Sequence, residues 1–266
     1  MRGKKGVPRP ALSEDVTLTF PRLEKGDIAQ DEEWFEARLN GGIRRIRFHD
    51  YGRIYEVPGL YEKLFYEELK CASPETIRSV LDEELQRSGY DASSLVCLDI
   101  GAGNGMVGEE LAALGARTIV GVDIIQEAYD ALERDRPGIY DDYLVADLTA
   151  LTGEQHDQLA KWKFNCLTTV AALGFADIPP AAFATAYDLI EPGGWLAFTI
   201  KEDFLTETDP SGFQKLIRHL LDDGAIQTRA QRRYRHRFNS QGRPLYYIAM
   251  VASKVHAESA SALMVR

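Results

Sequence analysis

The chain has 266 residues, of which 41 are acidic and 31 are basic, and its formal charge is −10. A hydrophobic fraction of 45% with a charged fraction of 27% excludes a largely disordered or collagen-like chain and favours a globular protein with a sizeable core. The acidic balance does not favour long-range attraction to nucleic acid or to an anionic membrane. We therefore expect a small-molecule partner.

No segment of the sequence predicts export or membrane insertion. The basic N-terminus has no apolar run behind it, so no signal peptide is expected. The most apolar long stretch, residues 170–186, contains Asp177 and two prolines and is shorter than the roughly 20 residues that a membrane helix needs. The three cysteines cannot all pair within one chain, which fits a reducing compartment. We expect a cytoplasmic protein, and the sequence leaves its oligomeric state open.

The first third of the chain predicts an arm followed by a cap. Residues 1–30 are rich in charge, Pro and Gly, and we interpret them as a mobile arm. Asn40-Gly41 supplies the positive φ angles of a tight turn and predicts a hairpin between its flanking strands. A helix from Ser73 to about Ser88 is predicted by the Ser-Pro-Glu start signal. Together these elements predict a hairpin and helical cap over residues 31–92, with the hairpin strands at Trp34–Leu39 and Ile43–Phe48.

Strands and helices then alternate over residues 93–254. The strand-like runs are apolar with little polar alternation, which is typical of strands buried on both faces. With helical stretches between them, they predict a doubly wound and mostly parallel α/β sheet, closed by an antiparallel hairpin. Residues 255–266 are expected to form a tail. The predicted strands are Leu95–Ile100, Thr118–Val122, Tyr143–Ala146, Phe164–Val170, Trp195–Ile200, Ile226–Phe238 and Leu245–Lys254.

A glycine-rich motif, Asp99-Ile100-Gly101-Ala102-Gly103-Asn104-Gly105, lies between the first of these strands and a helix. Glycines allow a sharp turn and a close approach of a ligand, and the start of a helix favours negative charge. The motif therefore predicts a nucleotide-like cofactor. Gly103, Gly105 and Gly108 also match the dinucleotide pattern GxGxxG, although about three residues too far from the strand. A nicotinamide-dependent oxidoreductase is the alternative.

An ordered set of motifs over residues 95–254 resembles the class I S-adenosylmethionine (SAM) dependent methyltransferases. The resemblance implies a Rossmann-like sheet of seven strands in the order 3-2-1-4-5-7-6, with the last strand antiparallel. It also implies SAM as the cofactor and S-adenosylhomocysteine as the product. The motifs are the acid-x-Gly-x-Gly-x-Gly sequence from Asp99, Asp123 after the second strand, Asp147-Leu148 after the third, Glu191-Pro192-Gly193-Gly194 before the fifth, and the terminal hairpin.

The same resemblance assigns roles to individual residues. It places the glycine motif at the methionine end of the cofactor, Asp123 at the ribose hydroxyls and Asp147 with Leu148 at the adenine. A segment from Phe48 is similar to one that precedes the core in one group of these enzymes, which makes Tyr55 a candidate lid residue or a packing residue of the cap. No metal site is expected. The expected cofactor-binding residues are Asp99, Gly101, Ala102, Gly103, Gly105, Asp123, Ile124, Asp147, Leu148, Thr169 and Tyr55.

The acceptor and the catalytic base are less well defined. The fourth strand lacks the Asn-Pro-Pro-Tyr signature of many nucleic-acid methyltransferases, and its small apolar residues favour a small, partly apolar acceptor. A protein methyltransferase and a non-catalytic SAM-binding module stay open. Four arginines of the sixth strand, Arg229, Arg233, Arg235 and Arg237, predict either an anion-binding face or a solvated edge. The candidate bases at the carboxyl edge of the sheet are His236, Glu202 and His49, and none of them stands out.

Overall fold

The computed structural model of the chain describes residues 16–21, 28–39, 41–173, 177–202, 211–256 and 259–260. A small antiparallel sheet and short helices form the cap. Its sheet has the order β1-β2-β3, so that Thr17–Thr19, in the expected arm, pairs with the predicted hairpin. Residues 1–15 and 22–27 of that arm lie outside the described residues. The elements are β1 (Thr17–Thr19), β2 (Trp34–Leu39), β3 (Gly42–Arg47), α1 (Tyr51–Tyr55), α2 (Leu60–Glu62), a π-helical turn (Lys63–Glu68) and α3 (Ser73–Ser88).

The buried apolar runs form the strands of a larger mixed sheet. They are β4 (Val96–Ile100), β5 (Thr118–Asp123), β6 (Asp142–Val145), β7 (Phe164–Leu173), β8 (Ile190–Lys201), β9 (Ile226–Phe238) and β10 (Pro244–Lys254). Within the described ranges these seven strands have the order β6-β5-β4-β7-β8-β10-β9, and β10 is antiparallel to both neighbours. Counted from β4, this is the order 3-2-1-4-5-7-6, so the predicted fold is confirmed.

Helices cover both faces of this sheet. One apolar core lies between the sheet and the helices Gly153–Ala160, Pro180–Asp188 and Phe213–Asp222, and another lies between the sheet and α3 with the helices Met106–Leu114 and Gln126–Asp135. In the part of the chain that the structure describes, no helix is long and apolar enough to cross a membrane. The helices after α3 are α4 (Met106–Leu114), α5 (Gln126–Asp135), α6 (Gly153–Ala160), α7 (Pro180–Asp188) and α8 (Phe213–Asp222).

Backbone hydrogen bonds attach the cap to the edge strand β9. The amide of Ala72 donates to the carbonyl of His236 at 2.9 Å, and the amide of Phe238 donates to the carbonyl of Leu69 at 2.7 Å. A buried ion pair between Arg237 and Glu33, 2.7 Å apart, joins the same two parts. The cap is therefore fixed over the carboxyl ends of the sheet strands.

Candidate cofactor site

The loop between β4 and α4 takes a shape that requires glycine. Gly101, Gly103 and Gly105 have φ angles of 66°, 54° and 90°, in the left-handed region that other residues avoid. A Cβ atom at Gly101 would lie 2.8 Å from Cδ1 of Ile178, and one at Gly103 would lie 2.5 Å from the hydroxyl of Tyr55. The bare backbone of this loop thus allows close packing of the cap and of the segment after β7.

A cleft opens beside this loop at the carboxyl ends of the parallel strands, where open α/β sheets bind ligands. Its empty volume is about 1030 Å³, part of which is open to solvent. The loop and strand ends form its floor, while the cap forms the opposite wall. Its lining includes Gly101, Asp123, Ile124, Asp147, Leu148 and, from the cap, Tyr55.

Two carboxylates face this cleft from neighbouring strand ends. Asp123 accepts hydrogen bonds from the amides of Gly103 at 2.9 Å and Ile125 at 3.0 Å, which hold it against the glycine loop. Burial raises the pKa of Asp123, and these hydrogen bonds oppose the rise. Asp147 accepts from the hydroxyl and amide of Thr149, and these bonds lower its pKa. Both aspartates therefore have acceptor oxygens at the same cleft.

Apolar surface lies beside the two carboxylates. Ile124 is 61% exposed although it is a large aliphatic residue, and it lines the cleft together with the buried Leu148. A ligand that covered this isoleucine would remove apolar area from water. An adenosine group matches the set, because its hydroxyl and amino groups donate hydrogen bonds and its base has apolar faces. The described residues therefore fit the adenosyl part of SAM.

Stacked tyrosines of the cap close the cleft opposite the glycine loop. The ring centroids of Tyr55 and Tyr61 are 4.9 Å apart at 29°, and those of Tyr51 and Tyr55 are 6.4 Å apart at 27°. All three line the cleft. The ring of Tyr55 packs within the cap and its hydroxyl lies over Gly103, while its role as a lid residue stays a prediction.

Five of the expected cofactor-binding residues do not line the cleft: Asp99, Ala102, Gly103, Gly105 and Thr169. Asp99 is buried beneath the loop, where it accepts hydrogen bonds from the hydroxyls of Tyr140 at 2.6 Å and Thr168 at 2.7 Å. Burial, opposed by these two bonds, raises its pKa to about 7. These contacts make Asp99 a support of the loop, and the structure gives it no surface on the cleft.

Thr169 is fully buried because the end of β7 does not alternate like an ordinary strand. Ala171 has a φ of 60° and its amide donates to the hydroxyl of Thr199 at 2.7 Å. As a result the consecutive residues Val170, Ala171 and Ala172 all line the cleft, while Thr169 does not. The sequence predicted no such break, since a left-handed alanine has no local signal.

A buried polar network joins the loop to the cap and to α5. Arg136 lies 2.7 Å from Glu62 of α2 and 2.7 Å from Glu109 of α4, and it donates to the carbonyl of Asn104. The amide group of Asn104 donates to Glu62 at 2.8 Å. These bonds satisfy the charge of a guanidinium that is almost wholly buried. They hold the glycine loop against the cap.

The three candidate bases occupy different environments. Glu202 pairs with Arg233 at 3.0 Å and lines neither this cleft nor the cavity next to it. His236 is buried, with Nδ1 2.7 Å from the hydroxyl of Ser73, and burial lowers its pKa well below the ordinary value. His49 lines the cleft and lies 3.0 Å from Asp177. Asp177 was missed as a site residue, although its place after β7, at the carboxyl edge, was a usable signal.

The arginines of β9 have partners within the protein. Arg229 donates to Ser253, Arg235 donates to the carbonyl of Lys70, and Arg233 and Arg237 form the ion pairs described above. Arg229 and Arg233 are exposed, as in the solvated edge that the sequence offered as one interpretation, whereas Arg237 is buried with Glu33 and departs from it.

A family model described as a methyltransferase domain matches residues 74–244. The chain belongs to the class I S-adenosylmethionine-dependent methyltransferases. The matched range begins in α3, contains the glycine loop with Asp123 and Asp147, and ends at the start of β10. SAM is the cofactor of this family, so the predicted cofactor and enzyme class are confirmed and the nicotinamide alternative is set aside.

Curated relatives match parts of this methyltransferase. It is 28% identical over 102 residues to the ubiquinone biosynthesis O-methyltransferase of Thiobacillus denitrificans, covering 38% of this chain and 42% of that protein. It is 28% identical over 140 residues to the mitochondrial ubiquinone biosynthesis O-methyltransferase of Candida albicans, covering 50% of this chain and 42% of that protein. The chain thus spans about two fifths of the length of these relatives.

Solved structures share the fold. The N-methyltransferase NodS from Bradyrhizobium japonicum, in complex with S-adenosylhomocysteine, superimposes with a TM-score of 0.53 at 12% identity, covering 79% of this chain and 98% of that one. A SAM-dependent methyltransferase from Clostridium acetobutylicum gives a TM-score of 0.50 at 12% identity, covering 74% and 97%. At such identities the likeness is one of fold.

Proposed function

We propose that this methyltransferase transfers the methyl group of SAM to a small-molecule acceptor. The observation that carries the proposal is that the carboxylates of Asp123 and Asp147 face one cleft beside the glycine loop. The names of the curated relatives, ubiquinone biosynthesis O-methyltransferases, support a small acceptor. In this proposal residues 93–254 form the SAM-binding domain and residues 31–92 form a cap over its site.

Each part of the cleft has a task in binding the cofactor. Asp123 accepts hydrogen bonds from the ribose hydroxyls, because its oxygens retain lone pairs beyond those that bind the two backbone amides. Asp147 accepts from the adenine amino group, and Ile124 and Leu148 pack against the base. Gly101, the loop glycine that lines the cleft, lets the ligand approach the backbone closely.

The protein contributes mainly positioning and exclusion of water. When bound, SAM supplies a methyl group already activated on a positively charged sulfur. The cap tyrosines limit access of water to the methionine end, and their ring faces can attract the positive charge. Correct placement of two reactants can lower a barrier by roughly 7 to 11 kcal/mol. The rigid glycine loop and the buried network beneath it provide such placement.

Replacement of Asp123 tests the cofactor site. Asp123→Asn should weaken SAM binding by about 30-fold, since lost hydrogen bonds to a charged group are worth about 2 kcal/mol. Calorimetric titration with SAM measures the change. Asp141→Asn is the matched control, because Asp141 also accepts from a backbone amide, that of Ile119 at 2.9 Å, but does not line the cleft. Wild-type affinity in Asp123→Asn would refute the ribose assignment.

The acceptor class is tested with labelled SAM and fractionated metabolites, proteins and RNA. The proposal expects label in the metabolite fraction. Label that appears only in protein or only in RNA would contradict the small-molecule acceptor and leave the cofactor site unaffected. Binding of SAM without transfer to any fraction would favour a non-catalytic SAM-binding module instead.

A further inference from the structure

A second cavity lies between the cap and the sheet, beside the cofactor cleft. Its empty volume is about 500 Å³, part of which is open to solvent. Six residues line both spaces, so the two meet along a common boundary: His49, Tyr51, Tyr61, Ala171, Ala172 and Asp177. A molecule in the second cavity can therefore present an atom to a ligand in the cleft.

The wall of the second cavity is largely aromatic. Phe48, Tyr51, Tyr61 and Phe65 line it from the cap, and Tyr247 lines it from β10. The charge of Arg237, which also lines it, is already balanced by the buried carboxylate of Glu33. Such a wall suits a planar ring without a net charge, since aromatic rings pack favourably against one another.

An imidazole and a carboxylate meet at the boundary of the two cavities. Nδ1 of His49 lies 3.0 and 3.2 Å from the two oxygens of Asp177. An ionised carboxylate only accepts hydrogen bonds, so Nδ1 carries the proton and Nε2 carries the lone pair. The pair joins the end of β3 to the start of α7, and its side chains are 19% and 24% exposed. This is the arrangement of a base and the group that orients it.

The other imidazole near this cavity is less suited to the task. His236 stacks on Tyr247 with ring centroids 4.0 Å apart, and both neighbouring arginines in sequence oppose a positive charge on it. Within the described residues the ring of His236 contacts Cys71, Ser73 and Tyr247 and no carboxylate, whereas His49 is paired with Asp177. Of the two imidazoles, His49 is the one that lies at the boundary and is paired with a carboxylate.

We propose that the second cavity binds an aromatic acceptor and that His49, oriented by Asp177, takes the proton from the acceptor's hydroxyl group. The proposal rests on the proposed function. The O–H bond breaks as the acceptor oxygen forms a C–O bond with the methyl carbon. The C–S bond breaks, and its electron pair stays on sulfur as a neutral thioether. The proton passes to Nε2 of His49 and then to solvent.

The test measures methyl transfer by the full chain to small acceptors that differ in one group: a catechol, a monophenol and the matching aryl amine. The wild type should methylate the hydroxyl compounds. His49→Gln should bind SAM with wild-type affinity and lower kcat by about two to four orders of magnitude. Asp177→Asn should lower kcat less. His219→Gln, in the exposed pair of His219 with Asp223 at 3.3 Å, is the matched control and should have no effect.

The pH dependence separates a base from a structural residue. In His49→Gln the rate should rise about tenfold per pH unit until the acceptor itself ionises, and an acidic phenol should largely restore it. Cys71 lines the second cavity but not the cofactor cleft. Cys71→Leu should therefore raise KM for the acceptor by about tenfold and leave SAM affinity unchanged. An unchanged KM would exclude that cavity as the acceptor site.

Each remaining outcome has a distinct meaning. A wild-type kcat and pH profile in His49→Gln would refute His49 as the base. A loss of SAM affinity that parallels the loss of kcat would refute it as well. Transfer to the amine but not to the hydroxyl compounds would refute the acceptor class while the proposed function stands. A wild-type protein that does not bind SAM would refute the proposed function itself.

Discussion

Asp99 gives a quantitative test of the structure beneath the glycine loop. Burial raises its pKa from 3.8 to about 7, while hydrogen bonds from Tyr140 and Thr168 oppose the rise. The unfolded chain loses this proton near pH 4, whereas the native protein retains it until about pH 7. Between these values the native state binds more protons, so the free energy of unfolding falls as the pH rises.

The magnitude follows from the size of the shift. One pKa unit corresponds to 1.36 kcal/mol, so the two units between pH 5 and the native pKa amount to about 3 kcal/mol. The side chain of Asp99→Asn cannot ionise, so this variant does not lose stability in this way as the pH rises. The hydroxyls of Tyr140 and Thr168 can rotate to form hydrogen bonds with the new amide. The stability of Asp99→Asn relative to the wild type should therefore increase by about 3 kcal/mol from pH 5 to pH 8.

Urea unfolding at pH 5, 6, 7 and 8, followed by tryptophan fluorescence and circular dichroism together, measures this difference. Comparing the two proteins at each pH cancels the titration of groups that they share. Asp147→Asn is the control, because hydrogen bonds lower the pKa of Asp147 and it stays ionised over this range. A stability difference between Asp99→Asn and the wild type that stays constant from pH 5 to pH 8 would refute the raised pKa of the buried Asp99 carboxyl.

Two further predictions concern the loop and its support. Gly101→Ala should weaken SAM binding by at least about tenfold by calorimetry, because the added Cβ meets a side chain and the left-handed backbone costs roughly 1–2 kcal/mol. Gly89→Ala, with a φ of 68° and open space around the added Cβ, should leave the affinity unchanged, and an equal loss in both would contradict the steric argument. Arg136→Ala should lower the free energy of unfolding by about 3–5 kcal/mol in urea, because it leaves the nearly buried carboxylate of Glu62 without its cation. Arg232→Ala, from an exposed pair, should cost less than about 1 kcal/mol, and similar losses would show that the network carries no special stability.

The alternation of buried strands and helices could be predicted because each element has its own local pattern. Most strands of the main sheet match their predicted bounds within one or two residues. β8 is an exception, since it begins at Ile190 rather than Trp195. Ile190 already pairs with Phe164, and the register shifts before Trp195 pairs with Cys166. A pairing partner, which no local pattern encodes, decided that boundary.

Asp123 and Asp147 could be placed from the sequence because each directly follows a parallel strand, and such ends meet at one edge of the sheet. The direction of a buried side chain could not be predicted from the sequence. Asp99 belongs to the same motif as Gly101, yet its carboxylate is turned to Tyr140 and Thr168 under the loop. Only packing on both sides of the sheet determined which acid faces the cleft.

By itself, the sequence determined the order of elements, the glycine loop and the two strand-end acids, because these depend on backbone preferences and short spacings. Tertiary structure alone brought His49 to Asp177, 128 residues apart in the chain, and opened the aromatic cavity beside them. Contacts of that kind depend on how the cap packs on the sheet, and this packing is set by many distant side chains acting together.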